Sequence, residues 1–256
     1  MNNMRYEKIL LTGGSGTLGN TILKSDIFQN ILAPTHNELD ISDKDSISKF
    51  FQDNEFDAVI HCAANTNMQE SEENLPKLIE VNVKGTCNLV NAVLKKEKGK
   101  EKKIRFVHIS TDGVYNRTEG NYSETSPTIP FDRYGWSKLG AECSVNSLSN
   151  FCIIRTNFSD PTKINFKTSP TDAYSSRILL KELVNVIKFL LESDFKGTIN
   201  VGGQKKSHYD AYKEFNPSLT PCNLEDIQNK TSRKLPKDSS MDISLLEKLK
   251  TTYFFK

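Results

Sequence analysis

The sequence predicts an α/β fold built on a doubly wound parallel sheet. Short apolar runs alternate with helical patterns through the first 156 residues, and strands separated by helices imply right-handed crossovers and a parallel sheet. A glycine-rich loop directly follows the first apolar run, and the alternation ends after residue 156. A chain of 256 residues is long enough to bury a core of this kind.

The hydrophobic pattern places each element in turn. Asp43 gives an N-cap signal for the second helix, and Pro76 lies near a helix start inside a longer helical segment. We expect strands over residues 8–12, 30–35, 57–63, 104–110, 150–156 and 196–201. We expect helices over residues 16–28, 43–53, 70–96 (one or two helices), 134–148, 176–193, 208–215 and 242–249.

Composition and charge exclude several classes of protein. The formal net charge is +2, and the lysine-rich run 95–103 also carries Glu97 and Glu101, so it indicates a solvated helix end rather than a nucleic-acid surface. No apolar stretch approaches the ~20 residues of a membrane helix, and the N-terminus lacks an apolar signal segment. Five cysteines without a Cys-x-x-Cys pair indicate reduced thiols. We therefore expect a cytoplasmic protein that binds neither nucleic acid nor a membrane.

The histidines give no sign of a metal site. His36, His61, His108 and His208 stand apart in the sequence, without the spacing of metal ligands. His108 lies within a predicted strand, and this position is more typical of a core histidine than of a ligand.

The glycine-rich loop TGGSGTLG, residues 12–19, has the arrangement that a pyrophosphate requires. Gly13 permits the tight turn, Gly16 lets the backbone approach the phosphates, and Gly19 lets the following helix pack closely on the strand. The helix N-terminus adds free N–H groups and a partial positive charge. An ordinary glycine-rich turn is the alternative, but the position after the first strand of a β-α-β series favours phosphate binding.

The end of the second predicted strand bears on the choice of cofactor. A carboxylate there would bond the adenosine ribose hydroxyls, yet no acid precedes Glu38. Without that acid a 2′-phosphate is not repelled, and His36 could touch one, although no arginine is present to clamp it. This pattern favours NADP over NAD. Asp40 either lies near the adenine or merely opens the turn before the next helix, and both interpretations stand.

Three residues fit carbonyl chemistry. Tyr134 and Lys138 stand at i and i+4, so both lie on one helix face, and a neighbouring ammonium lowers the pKa of a phenol from its ordinary value of about 10. Tyr134 could then exchange a proton with a carbonyl or alcohol oxygen. A hydroxyl at the preceding strand end completes the set, and Thr111 is preferred over Ser110, which better fits a hydroxyl that caps backbone groups. A surface helix turn is the alternative for the Tyr–Lys pair.

Several motifs then coincide in order, and the chain resembles the extended short-chain dehydrogenase/reductase superfamily with its Rossmann fold. Within that superfamily it is most similar to the dTDP-4-dehydrorhamnose reductases and their sugar-nucleotide-binding relatives. The resemblance covers roughly residues 7 to 160, and the similarity is weaker in later segments. The matching segments are 12–19, 39–41, 61–66, 81–83, 108–115, 122–124, 134–142 and 155–158.

The resemblance implies a role for each matching position. Gly16, Thr17 and Leu18 would wrap the pyrophosphate, and Asp40 and Ile41 would lie along the adenine. The remaining cofactor contacts would come from Ala63, Ala64 and Asn65, with Asn82 bracing the site from the long helix. Thr111, Asp112 and Phe158 would face the sugar, Tyr134 would donate the proton, and Lys138 would bind the ribose and lower the pKa of Tyr134. The implied activity is NAD(P)-dependent reduction of a nucleotide-linked 4-keto-6-deoxysugar.

The resemblance also implies how the chain is divided and assembled. A dinucleotide-binding domain would span residues 1–158, with 176–203 returning to it, and a small substrate region would span 159–175 and 204–256. This substrate region is shortened, because only about 18 residues separate Phe158 from the helix expected near Ser176. A homodimer would form through helices 70–96 and 134–148.

Two other functions remain open. An epimerase or dehydratase would keep the cofactor, but a dehydratase of this superfamily needs an acidic pair where Asp112 is followed by Gly113. A non-catalytic NADP-binding regulatory or scaffold protein would fit the short substrate region, although such a protein has no need to keep both Tyr134 and Lys138.

Overall fold

The computed structural model of the chain describes residues 5–67, 72–231 and 234–254. These residues pack as two compact units. The first unit takes the described residues of Met1–Ser110, Asp132–Ile154 and Val184–Thr198, and the second takes those of Thr111–Phe131, Arg155–Leu183 and Ile199–Lys256. This division differs from the domain bounds expected from the sequence, chiefly because residues 111–131 belong to the second unit.

The strands confirm the predicted fold class. They are β1 Ile9–Thr12, β2 Ile31–Leu32, β3 Ala58–His61, β4 Arg105–Thr111, β5 Phe151–Thr156, β6 Phe158–Ser159, β7 Thr168–Pro170, β8 Tyr174–Ser175, β9 Ile178–Leu179, β10 Gly197–Val201, β11 Lys206–Ser207 and β12 Thr220–Cys222. Six of them form one parallel sheet in the order β10-β5-β4-β3-β1-β2. In this order β2 lies on one side of β1, and β3 with the later strands lies on the other. The direction in which strands are added therefore reverses at β1, and open α/β sheets bind ligands at such a switch point.

The helices follow the expected alternation. They are α1 Thr17–Lys24, α2 Lys44–Asp53, α3 Leu75–Leu78, α4 Thr86–Lys96, α5 Arg133–Val145, α6 Leu180–Glu192, α7 His208–Lys213, α8 Leu224–Gln228 and α9 Ser244–Phe254. A π-helical turn, Ile79–Gly85, joins α3 to α4. The side chain of Asp43 accepts from Asp45 N–H and caps α2, and Pro76 lies in the first turn of α3, both as predicted. The first two residues of the helix expected over 70–96 lie outside the described residues.

The core of the first unit lies between the sheet and helices α2, α4 and α5. Every residue of β1, β3 and β4 is buried, as the apolar runs require. The core includes Leu10, Val59, Phe106 and Ile153 from the sheet and Ile47, Phe51, Leu89, Val93 and Val145 from the helices.

The second unit contains short strand pairs that the sequence did not predict. β6 pairs with β9 in parallel, so Phe158 lies opposite Ile178. For this reason the helix expected from Ser176 begins only at Leu180. The glycine pair after β10 lets the backbone at residues 176 and 177 approach closely. A Cβ on Gly202 would overlap the Ser176 carbonyl oxygen, and one on Gly203 would lie 2.7 Å from the Arg177 carbonyl oxygen.

Candidate active site

The glycine-rich loop joins β1 to α1 and has the geometry of an anion cradle. Gly13 adopts φ +74°, and a Cβ there would lie 2.6 Å from the backbone nitrogen of Ala63, so only glycine fits. Gly16 is the N-cap of α1 and carries no side chain to satisfy the first N–H groups of the helix. A Cβ on Gly19 would overlap the Gly13 carbonyl oxygen, so Gly19 lets α1 close on the loop itself rather than on the strand, which corrects the sequence-based expectation.

A cavity of about 250 Å³ opens beside this loop in the first unit. Seven predicted cofactor residues line it together: Gly13, Gly16, His36, Asp40, Ile41, Ala63 and Ala64. Seven others, Thr17, Leu18, Gly19, Asn65, Asn82, Tyr134 and Lys138, do not line it; the first three form the start of α1. Sequence reasoning missed further lining residues, among them Pro34, Leu39, Cys62 and Val81. Leu39, Cys62 and Val81 lie inside the matching segments 39–41, 61–66 and 81–83, and Pro34 lies two residues before His36.

Glu38, the first acid after β2, is engaged by Thr35. The Glu38 carboxylate accepts hydrogen bonds from Thr35 N–H at 2.7 Å and from Thr35 Oγ1 at 2.9 Å, which lower the pKa of Glu38. His36 lines the cavity, and its Nε2 lies 3.7 Å from an Asp40 carboxylate oxygen.

Asp40 closes the turn before α2, as one of its two interpretations predicted, and its place near an adenine stays a prediction. Its carboxylate accepts from the Ser42 N–H at 2.9 Å and the Ser42 hydroxyl at 2.6 Å, and so closes the turn before α2, while the residue also lines the cavity. Burial raises the pKa of Asp40, but the hydrogen bonds from Ser42, with the charge of His36, outweigh it, so the pKa lies below its ordinary value.

A chain of buried hydrogen bonds leads away from the loop strand. The Thr12 hydroxyl lies 2.7 Å from His61 Nδ1, and His61 Nε2 lies 3.0 Å from the Thr86 hydroxyl. The Thr86 hydroxyl donates to the carbonyl oxygen of Asn82 at 2.7 Å, so it accepts from His61 Nε2–H, and His61 Nδ1 accepts from Thr12. Burial lowers the pKa of His61 to about 3, so the ring is neutral.

Asn82 carries the chain onward to the helix of the Tyr–Lys pair. Its Oδ1 accepts from the Asn65 N–H at 2.7 Å, and its Nδ2 donates to the Asn65 carbonyl oxygen at 3.1 Å and to the Ser137 hydroxyl at 2.9 Å. The Ser137 hydroxyl in turn donates to the Tyr134 carbonyl oxygen at 2.8 Å. Asn82 lies in the π-helical turn, a feature frequent at functional sites, and its hydrogen bonds hold the loop at Asn65.

Lys138 is enclosed by the sheet. It is 2% exposed, and its Nζ lies 3.3 Å from Nε2 of His108, which sequence reasoning had treated only as a core residue. Burial lowers the pKa of Lys138 to about 8, although Glu142 and Cys62 act in the opposite direction. Burial and the charge of Lys138 hold the pKa of His108 well below its ordinary value, so the neutral ring accepts from the ammonium.

The histidines are less isolated than the sequence suggested. His61 and His108 are register partners on β3 and β4, and their ring centroids lie 5.1 Å apart. Within the described residues, no group of three or more histidine, cysteine, aspartate or glutamate side chains could hold a metal ion.

The two hydroxyls at the end of β4 have different partners. Ser110 belongs to the first unit, and its hydroxyl donates to the Glu142 carboxylate. Thr111 belongs to the second unit, and its Oγ1 accepts from Gly113 N–H at 3.0 Å, which caps the 3₁₀ turn Asp112–Val114. The capping role assigned to Ser110 is therefore wrong and falls to Thr111.

The other predicted substrate residues lie with Thr111 in the second unit. The Asp112 carboxylate, 3% exposed, accepts from Asn157 Nδ2 at 2.7 Å and from the Thr111 hydroxyl at 3.2 Å. Phe158 follows Asn157 and is held by its pairing with Ile178. Thr111 belongs to the second unit and Tyr134 to the first.

The fold and the glycine loop define a nucleotide-binding α/β protein with its cavity at the switch point of a doubly wound sheet. A family model described as the RmlD substrate binding domain matches residues 7–167, more than half of the chain. The protein belongs to this family, which confirms the resemblance seen in the sequence.

Two relatives found by sequence comparison are named as reductases. The chain is 30% identical over 143 residues to a dTDP-4-dehydrorhamnose reductase of Mycolicibacterium smegmatis, a match that covers 54% of this chain and 41% of that protein. It is 30% identical over 155 residues to a dTDP-4-keto-6-deoxy-D-glucose reductase of Streptomyces niveus, covering 59% of this chain and 52% of that protein. The matched segment thus spans about half the length of these curated relatives.

Solved structures extend the likeness to nearly the whole chain. A dTDP-4-dehydrorhamnose reductase from Clostridium acetobutylicum superposes with a TM-score of 0.84 at 26% identity, covering 94% of this chain and 92% of that one. The reductase of Bacillus anthracis in complex with NADP gives a TM-score of 0.81 at 20% identity over 98% of this chain and 99% of that one, which supports the fold alone. Across the residues described here, no helix is both long enough and apolar enough to span a membrane.

Proposed function

We propose that the protein is an NADP-dependent reductase of the 4-keto group of a nucleotide-linked 6-deoxysugar. The observation that carries the proposal is the buried Lys138 on the same face of α5 as Tyr134. Burying an ammonium to this extent costs free energy unless the charge is paired. Groups with a strongly shifted pKa, such as this lysine, concentrate at functional sites.

The residues around the cavity fit a dinucleotide. Gly13 and Gly16 leave room for a pyrophosphate against the backbone, and the uncapped first turn of α1 offers N–H groups and a partial positive charge. Asp40 and Ile41 would lie along the adenine, and Ala63, Ala64 and Asn65 would hold the far half of the cofactor. NADP is favoured over NAD because Glu38 is engaged by Thr35 while His36 lines the cavity.

The reaction needs one proton and one hydride. When bound, the reduced nicotinamide supplies the hydride to the C4 carbonyl carbon of the sugar. Tyr134 gives its phenolic proton to the carbonyl oxygen, so the ketone becomes an alcohol. Lys138 would favour the phenolate that remains and would also bind the nicotinamide ribose. Thr111, Asp112 and Phe158 would hold the sugar.

Turnover assays of the wild type and of two variants, each lacking one tyrosine hydroxyl, test this function. We expect the wild-type protein to oxidise NADPH when given a dTDP-4-keto-6-deoxysugar, with a lower Kd for NADPH than for NADH. Tyr134→Phe should reduce kcat by at least ~100-fold, the usual scale of acid catalysis, without weakening NADPH binding. Tyr6→Phe removes a phenolic hydroxyl from the first unit at a position outside the proposed site and should keep full activity.

Three results would contradict the proposal. One is the absence of turnover with every 4-keto-6-deoxysugar nucleotide tried. A second is unchanged turnover by the Tyr134→Phe protein. The third is NADPH binding with no detectable binding of any sugar nucleotide, which would support the regulatory or scaffold alternative.

A further inference from the structure

A buried polar cluster joins strand β4 to helix α5 in the first unit. His108 and Ser110 stand at i and i+2 on β4, so their side chains point to one face of the sheet. Lys138 and Glu142 stand at i and i+4 on α5, so they lie on one face of the helix. His108 contacts Lys138, and Ser110 donates to Glu142. All four residues are at most 4% exposed, so both polar contacts lie away from water.

One of the titratable groups that face Lys138 supplies its countercharge. The other groups near the ammonium are His108 on β4, His61 at the end of β3, and Cys62 directly after it. Burial keeps both rings neutral, and it raises the pKa of the Cys62 thiol to about 12, so the thiol is neutral as well. Glu142 acts against burial and raises the pKa of Lys138. Among these groups in the described part of the first unit, the Glu142 carboxylate is thus the counterion.

His108 supplies an acceptor at a cost to its own hydrogen bonding. Its Nε2 lies 3.3 Å from Lys138 Nζ, and a neutral ring that accepts at Nε2 carries its proton on Nδ1. Within the described residues that Nδ1 is buried without a hydrogen-bond partner. A buried N–H without a partner costs free energy, and an apolar side chain would fill the same space without that cost. The ring is therefore better explained as an acceptor for the ammonium than as core packing.

The charge of Lys138 depends on both contacts. Burial lowers the pKa of Lys138 to about 8, so the ammonium is only modestly favoured at neutral pH. A countercharge, or a hydrogen bond to the charged form, moves a pKa by about 1 or more, so the loss of either would leave a neutral amine near pH 7. Tyr134 stands one helical turn before Lys138, and a neutral amine there would no longer favour its phenolate.

We propose that His108 and Glu142 are positioning residues that keep Lys138 charged and in place for the reaction of Tyr134. The inference rests on the proposed function, because it gives both residues a part in the same proton transfer. His108 is the hydrogen-bond acceptor, and Glu142, held by Ser110, is the counterion. Both act through Lys138 rather than on the substrate.

Urea unfolding of the full chain between pH 6.5 and pH 10 reports the charge of Lys138 without any cofactor. The folded-state pKa of Lys138 lies below the unfolded value, so wild-type stability rises with pH from about pH 8 upward. In Glu142→Gln and His108→Leu the folded chain releases this proton earlier, and the rise should begin at least about 1 pH unit lower. His108→Gln keeps an acceptor oxygen and should stay near wild type.

Two controls isolate this effect. Glu97 is another buried carboxylate of the first unit, and its Oε1 accepts from Ile104 N–H at 2.7 Å. Glu97→Gln keeps that acceptor, and its stability should begin to rise at the wild-type pH. In a Lys138→Met background, Glu142→Gln and His108→Leu should leave the pH dependence of unfolding unchanged, because the titrating ammonium is gone.

The pH profile of turnover is the second measurement. The alkaline fall in kcat/KM for a 4-keto-6-deoxysugar nucleotide should begin about 1 pH unit lower in Glu142→Gln and His108→Leu than in the wild type. Their kcat/KM should be about 10-fold below wild type on the alkaline side and close to it at pH 6.5. A purely structural role would lower the rate by the same factor at every pH. His108→Gln should restore the wild-type profile.

Two results of the unfolding experiment would overturn the proposal. One is a wild-type onset of the stability rise in both Glu142→Gln and His108→Leu. The other is a shifted onset that persists in the Lys138→Met background. A shift in one variant alone assigns the role to that residue and removes it from the other. If His108→Leu does not fold, Glu142→Gln with its Lys138→Met background decides the result.

Failure of this inference is distinguishable from failure of the proposed function. If turnover depends on Tyr134 but neither the onset nor the pH profile moves, the inference falls and the function stands. If the onset moves as expected but no sugar nucleotide is reduced, the function falls, and His108 and Glu142 still hold the charge of Lys138.

Discussion

Replacing Lys138 with methionine tests the electrostatics of the buried ammonium. The pKa of Lys138 lies at about 8 in place of 10.5, chiefly because the side chain is buried. Methionine is also long and unbranched but carries no charge, so Lys138→Met removes the titration and keeps most of the packing.

The sign of the effect follows from proton binding. The folded-state pKa of Lys138 lies below the unfolded value, so between about pH 8 and pH 10.5 the unfolded chain binds more protons than the folded chain. The free energy of unfolding of the wild type therefore rises with pH in this window. The shift corresponds to about 3 kcal/mol, most of which is recovered between pH 7 and pH 10.

Urea unfolding followed by circular dichroism at pH 7, 8, 9 and 10 measures this term. We expect the difference in unfolding free energy, wild type minus Lys138→Met, to move by about 2–3 kcal/mol in favour of the wild type as the pH rises. Other titrating groups are common to both proteins and cancel. Lys84→Met removes an exposed ammonium paired with Glu80, and its difference from wild type should change by less than about 0.5 kcal/mol. A difference for Lys138→Met that stays constant with pH, or moves the other way, would refute the reasoning.

Two further substitutions test the glycine-rich loop that lines the cavity and the hydrogen bonds of Asn82. Gly13→Ala should lower the free energy of unfolding by more than about 2 kcal/mol and weaken NADPH binding at least ~10-fold, because the new Cβ is strained at φ +74° and meets the Ala63 backbone. Gly99→Ala has φ +76° but open space around the Cβ, and in urea unfolding it should cost only about 1 kcal/mol; equal losses in the two proteins would show that the close approach is unimportant. Asn82→Ala should cost about 2–3 kcal/mol in the same assay, since its three side-chain hydrogen bonds are lost, and a loss under about 1 kcal/mol would argue against a bracing role.

The sheet was predictable because most of its strands are buried and because they alternate with helical segments, although both residues of β2 are only half-buried. The alternation of apolar runs located all six strands of the large sheet within a few residues. The helix start at Ser176 was wrong because periodicity over 176–193 is helical, whereas Ile178 and Leu179 are held as a strand by Phe158 and Ser159. A pairing between residues about 20 positions apart leaves no mark in a local pattern, and tertiary contacts override propensity there.

The cavity beside the glycine-rich loop was predictable for a different reason. Apart from Val81, its residues come from the end of β1 and from the loops that follow β1, β2 and β3, and neighbouring parallel strands bring those loops to one edge of the sheet. The capping hydroxyl was wrongly assigned to Ser110 because adjacent strand residues point to opposite faces, and the sequence does not say which hydroxyl meets a backbone N–H.

The polar side chains in the interior of the first unit have one electrostatic consequence. His61 and His108 lie side by side beneath Lys138, and the charge of Lys138 lowers the pKa of both rings in addition to burial. A second positive charge in this low-dielectric space would cost several kcal/mol, so the two rings serve as neutral hydrogen-bonding groups. His61 accepts a hydrogen bond from the Thr12 hydroxyl and donates one to the Thr86 hydroxyl, and His108 accepts one from Lys138. Of these three titrating groups, only Lys138 is then charged at neutral pH, on the same helix face as Tyr134.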